Sequence, residues 1–322
     1  MRMSNYGSFA AGVIIRGVHL IQTHPGKVFW VDNSALGTGD TMKSGSNSNK
    51  GTYNDPFSTL DYAVGQCRAN KGDIIFLKPG HAETLSATSV AVDVEGIAIV
   101  GLGQGSNRPT FNATATGSIF AISAANVLVH NLLFTGGVDA VVSMISISAA
   151  DVVLSSIEVR DVTGEIVVSV LTTADANRLI IDGFIYDGAT GDGATAAIAI
   201  VGGDRIEIKN FILDGDASVA LIDVRTTATT RLWVHDGQFY SREAADDTVL
   251  QDTITGSTGV IGPNLMINLE EHAANITEAL TGVTFRYFGG GETAGLNGAS
   301  ILVCNLDGES AMTINKVQST DA

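Results

Sequence analysis

The chain has 322 residues, 45% hydrophobic and 16% charged, with 37 glycines, 5 prolines and a formal net charge of −16. It is long enough for a large core, and it has no apolar run of membrane-spanning length and no signal-peptide pattern at its start. The acidic body argues against nucleic acid or an anionic polymer as partner, and two distant cysteines, Cys67 and Cys304, argue for free thiols in a protein completed in a reducing cytoplasm.

Residues 1–30 read as an extended N-terminal arm. They hold Arg2, Arg16 and Lys27 and no acid, beside the apolar residues Phe9, Val13, Ile14 and Ile15. Apolar anchors with flanking cations suit docking onto an acidic protein surface. Residues 31–54 are polar, rich in Gly and Ser, and read as loop.

Residues 55–73 predict a capping helix. Ser58 and Asp61 have capping-box spacing, Leu60, Ala63, Val64 and Cys67 share a helical face, and Gly72 marks its end. An open solenoid needs such a plug, because its terminal coil exposes unpaired backbone.

From 74 to 262 the sequence repeats. The segments GIAIVGLGQG, NVLVHNLLFTG, DVVLSSIEVRD, RLIIDGFIYDG, RIEIKNFILDG and RLWVHDGQFYS share one pattern: an alternating apolar pair, a polar or small pair, then a second short alternation. Their first apolar residues are Ile97, Val127, Val152, Leu179, Ile206 and Leu232, separated by 30, 25, 27, 27 and 26. A third strand-like piece precedes most units, as in SIFAI, SMISI, IVVSVL, AAIAIV and VALIDV. Three short strands in about 25 residues define a right-handed parallel β-helix, an all-β solenoid. The pairs His130-Asn131, Ser155-Ser156, Asp182-Gly183, Lys209-Asn210 and His235-Asp236 fall at one corner and suit a left-handed turn. Residues 263–322 lose the period and read as an irregular C-terminal cap, with ASILVCNL and AMTINKV as strands and RYFGGGETAGLNG as loop.

The outward middle position of the first strand reads Ala98, Leu128, Val153, Ile180, Glu207 and Trp233. This nearly continuous apolar stripe needs cover, and its five apolar members are the expected oligomer interface. The corresponding column of the second strand is mixed: Leu133, Glu158, Ile185, Ile212 and Gln238.

Two stretches, GVIIRGVHLIQTHPGKVFWVDNS and GTYNDPFSTLDYAVGQCRANKGDIIFLKPGHAETL, resemble tailed-bacteriophage right-handed parallel β-helix repeat proteins, including trimeric cement (decoration) proteins of marine siphophage heads. The resemblance implies a virion component and leaves head and tail open. The favoured reading is a structural homotrimer, made in the host cytoplasm and placed on the outer surface of the head, that docks on the major capsid protein through its arm. The alternative is a tailspike or tail-fibre protein that binds or cleaves host surface glycan.

Candidate chemistry is sparse. Asp187 and Asp214 recur at one position in consecutive coils, but Asp-Gly is a common turn dipeptide. Arg178, Arg205 and Arg231 stack just before three first strands and can pair with neighbouring acids. His24, His81, His130, His235 and His272 have no metal-ligand spacing. The expectation is therefore no catalytic residue, no metal, no cofactor, no membrane and no nucleic acid: a structural protein rather than an enzyme.

Overall fold

Short alternating segments bend at fixed places, and each bend hands the chain to a different sheet. The computed structural model describes residues 14–15, 18–19, 26–34, 43–86, 90–161, 165–188, 194–242, 249–252, 254–262, 264–269, 284–287 and 292–293. Three parallel sheets of ten, nine and seven strands form an all-β parallel β-helix. Sheet 1 runs from Val28–Val31 and Ile74–Leu77 to Thr258–Ile261 and Thr284–Tyr287. Sheet 2 runs from Ala82–Leu85 to Leu265–Leu269 and Glu292–Thr293, and sheet 3 from Val90–Val92 to Leu250–Asp252.

Register follows the repeat. Ile75, Ile99, Val129, Leu154, Ile181, Ile208 and Val234 are strand-to-strand partners in sheet 1, and all are buried. Sheet 2 contributes Phe111, Phe134, Val159, Tyr186, Leu213 and Phe239 to the core, and sheet 3 contributes Phe120, Ile145, Val170, Ile198, Ile222 and Leu250. Phe111 stacks on Phe134 at 5.5 Å, and Phe120 meets both edge-on.

The corners carry the expected left-handed backbone. Asn131, Ser156, Gly183, Asn210, Asp236 and Asn264 all have positive φ. So do Gly96, Asn126, Asp151, Arg178, Arg205 and Arg231 at the start of sheet 1 strands. In this conformation the amide points along the solenoid axis. Asn131 N donates to Ser155 O, Ser156 N to Asp182 O, and Gly183 N to Lys209 O. The strain at each non-glycine residue is offset by an amide satisfied in the next coil.

The helix is much shorter than the sequence predicts: Leu60–Gly65 only. Its capping box does not form. Ser58 instead donates through N and Oγ to Asn47 Oδ1, and Asp61 accepts from Ala91 N. Glu83, reaching in from the first coil, accepts from Leu60 N at 2.5 Å and fills the role. The buried face Leu60, Ala63 and Val64 is as expected. Cys67 is a free thiol pushed up to about 12 by burial and by nearby Asp73, and so is unreactive; Cys304 lies outside the described residues.

Sheet 1 begins before the helix. Val28–Val31 pairs with Ile74–Leu77, and Asp73 locks this junction. Its carboxylate accepts from Lys27 N, Arg68 N and the Arg68 guanidinium. At the far end, Leu265–Leu269, Thr284–Tyr287 and Glu292–Thr293 add further parallel strands; the last lies within the stretch expected to be loop and the second runs into its start. The strands expected in ASILVCNL and AMTINKV lie outside the described residues.

One turn assignment is overturned. Asp187-Gly188 and Asp214-Gly215 lie in strands Ile185–Gly188 and Ile212–Gly215. Glycine is needed there for space. A Cβ on Gly188 would sit 2.6 Å from Tyr186 Cε1, and one on Gly215 would sit 2.7 Å from it. We expect Gly188→Ala to cost about 1–3 kcal/mol by overpacking. In a Tyr186→Leu background the same change should cost much less, as measured by urea denaturation.

Candidate functional site

The outer face of sheet 2 holds a stripe rich in polar residues. Alternation brings two columns to the surface: Thr110, Leu133, Glu158, Ile185, Ile212 and Gln238, and beside it Asn112, Thr135, Arg160, Asp187, Asp214 and Tyr240.

Near the first coils, Glu158 holds two arginines. Arg108 Nη2 donates to Glu158 Oε2, and Arg160 Nε donates to Oε1 at 2.5 Å. Arg108 is itself buried, and Leu133, on the coil between Arg108 and Glu158, is only 3% exposed. Further along, Arg242 forks onto Asp214, with Nε to Oδ1 and Nη2 to Oδ2 both at 2.6 Å. Tyr240 OH donates to Gln238 Oε1 at 3.1 Å.

Asp187 lies between these neutralised groups. It is exposed, in register with Arg160 on one side and Asp214 on the other, and makes no hydrogen bond or ion pair among the described residues. Adjacent strands are about 4.8 Å apart. Backbone at that spacing is compatible with the roughly 5–5.5 Å between the carboxyls of retaining glycosidases. A shallow groove of about 390 Å³, lined by Asn210, Ile212, Asp236, Gln238, Asn264 and Met266, opens at the corner toward sheet 1.

Beneath this face lies a buried node. Asp161 is fully buried and accepts from Glu165 N at 2.7 Å and Ile166 N at 3.1 Å. Burial raises its carboxyl above the ordinary range, and these hydrogen bonds offset only part of that. The Tyr186 phenol is likewise raised, first by burial and then by Asp161.

The interface residues expected from sequence do form one column. Ala98, Leu128, Val153, Ile180, Glu207 and Trp233 are successive partners, extended at the front by Val28 and Ile74. Leu128 is 36% and Trp233 42% exposed. Glu207 has partners in Lys209 and His235. The stacked arginines are paired as anticipated: Arg178 forks onto Asp151 at 2.6 Å, Arg231 forks onto Asp204, and Arg205 lies 3.7 Å from Asp204. Of the arm residues, Lys27 has an exposed side chain and a backbone amide tied to Asp73. Ile14 and Ile15 pair with Val18 and His19 in a two-stranded ribbon; Arg2, Phe9, Val13 and Arg16 lie outside the described residues. The Arg108–Glu158–Arg160 cluster and the isolation of Asp187 were missed from sequence. A columnwise count of opposite charges on the second strand would have pointed to them.

No family model and no curated protein matches the chain. Three solved structures are similar in fold. An alginate lyase from Paenibacillus sp. strain FPU-7 is 16% identical, with 73% of this chain and 91% of that one covered and a TM-score of 0.41. A GH136 lacto-N-biosidase from Eubacterium ramulus is 12% identical, with 84% and 68% covered and a TM-score of 0.45. ORF18 of Geobacillus virus E2 is 14% identical, with 76% and 60% covered and a TM-score of 0.38. The expectation of a purely structural protein is thereby corrected: the lyase and the biosidase are enzymes, so the coiled architecture is not itself a mark of a non-enzyme. One of these neighbours is a phage protein.

A carboxyl raised in the folded state stabilises the fold below its unfolded pKa, about 3.9, and that contribution is lost as pH rises through the folded value. We expect Asp161→Asn to flatten this loss. Urea midpoints followed from about pH 4 to pH 8 for both proteins will show it; parallel curves would mean that Asp161 does not titrate in this range.

Proposed function

We propose that the chain is a glycan-engaging virion protein of a tailed bacteriophage, of the tailspike or tail-fibre type, and that it cleaves its saccharide with Asp187 and Asp214. The observation that carries this reading is the exposed Asp187, unpaired among the described residues, in register with the clamped Asp214. The phage assignment draws on the resemblance of residues 12–34 and 51–85. The site speaks for glycan over head decoration, because the stripe offers amides, hydroxyls and charge-balanced pairs of the kind that bind sugar hydroxyls.

The two carboxylates have different work. Arg242 fixes both oxygens of Asp214, so this group is oriented as a stationary negative charge facing an oxocarbenium-like centre. Asp187 has no such partner and is the group that moves a proton. In its acid form it gives its proton to the glycosidic oxygen as the C1–O bond breaks. As the carboxylate it then takes a proton from the water whose oxygen bonds to C1, which restores the acid form.

Asp187→Asn is expected to lower release of reducing ends from host surface polysaccharide about 10²–10⁴-fold while saccharide binding is kept. An unchanged rate would remove Asp187 from the chemistry.

The apolar front of the sheet 1 column, Val28 to Ile180, is proposed as the face of a homotrimer. Leu128→Glu with Ile180→Glu leaves the inward columns intact and should give folded monomers by light scattering. Persistence of the wild-type mass would assign the face elsewhere.

A further inference from the structure

Trp233 belongs to the same outward column, yet its surroundings differ from those of Leu128 or Ile180. Its strand partner is Glu207. Lys209 Nζ donates to Glu207 Oε1 at 2.8 Å, and His235 Nε2 lies 3.2 Å from the same oxygen. Oε2 has no hydrogen-bond partner among the described residues. Burial alone would raise the Glu207 carboxyl, but the hydrogen bonds from Lys209 and His235 outweigh it and hold the group below its usual range, as a charged acceptor.

The indole is exposed and still fixed in place. Its Nε1 donates to Gly262 O at 3.0 Å, and one ring face stacks on the buried His235 at 3.8 Å and 25°. Trp233 as a whole is 42% exposed. An exposed indole on a residue that could turn inward would be unremarkable; one pinned at its edge and backed by an imidazole is preorganised.

We propose that Trp233, Glu207 and Lys209 form a saccharide subsite for a neutral hexopyranose. The C–H bonds on one face of a pyranose ring carry partial positive charge and match the negative face of the indole. A sugar hydroxyl can donate to Glu207 Oε2 and accept from Lys209 Nζ, so the ion pair serves both halves of one hydroxyl. Lys209 balances Glu207 locally, whereas the −16 body repels uronates and phosphorylated sugars. On the same coil, Asp236 and Gln238 line the corner groove, which places this subsite beside the sheet 2 face. The subsite goes beyond the cleavage reading and does not require it.

The chain has two tryptophans. Trp30 is 8% exposed and stacks on Phe76 at 5.0 Å, so acrylamide reaches chiefly Trp233. Neutral oligosaccharides of glucose, galactose, N-acetylglucosamine and rhamnose, each titrated into the millimolar range, are the probes, with oligogalacturonate as acidic control. At least one neutral probe should shield Trp233 from acrylamide, and Asp187→Asn should leave that shielding intact. By calorimetry, Trp233→Ala should weaken binding about tenfold. Trp233→Phe should weaken it less, and Lys209→Met should weaken it with an unchanged melting temperature. Absence of shielding by all four neutral probes overturns the proposal. So does shielding by oligogalacturonate alone, or an affinity untouched by Trp233→Ala. A fall in native mass with Trp233→Ala would assign the indole to chain–chain contact and also overturn it.

Discussion

A strand in this solenoid finds no hydrogen-bond partner within its own coil. Its amides and carbonyls are satisfied by the coils before and after it, and everything else follows from that. The corners adopt left-handed backbone because only then does the corner amide point along the axis, as at Asn131, Ser156 and Gly183. The ladder fixes register, and register fixes which residues face in. A slip by one residue would drive the column of Leu128 and Trp233 inward and expose Val129 and Val234.

The same axial geometry organises charge. Arg178 with Asp151, Arg231 with Asp204 and Arg242 with Asp214 each join residues 27 or 28 apart, one coil in every case. Exposed pairs of this kind add little stability. Their effect is to set the direction of each side chain and to neutralise the face locally. On the outer face of sheet 2, Asp187 differs from its column neighbours Arg160 and Asp214 in having no ion pair among the described residues. Arg108 and Glu158 span two coils instead of one.

The columns were legible in the sequence because alternation and period are properties of the chain itself. Ile97, Val127, Val152, Leu179, Ile206 and Leu232 announce the coil length, and Asn131, Ser156 and Gly183 announce the corner. Contacts that depend on what lies in another coil were not legible. The helix loses its N-terminal residues because Asn47, in a polar loop, captures Ser58. Asp-Gly at 187–188 and 214–215 imitates a turn signal, although glycine is there to admit the Tyr186 ring. The pattern of types was read correctly as a stack; which side chains meet across it is set by reach and by volume, and neither is written in the period.

Parallel stacking in exact register also makes the fold a ruler. Every outward position is displaced from its equivalent on the next coil by about 4.8 Å along the axis, a step comparable to one sugar residue in a chain. Gain or loss of one whole coil would therefore shift Trp233 relative to Asp187 by one graduation and leave both local environments whole. Such a scaffold can change the length of polymer it measures without rebuilding either end of the measurement.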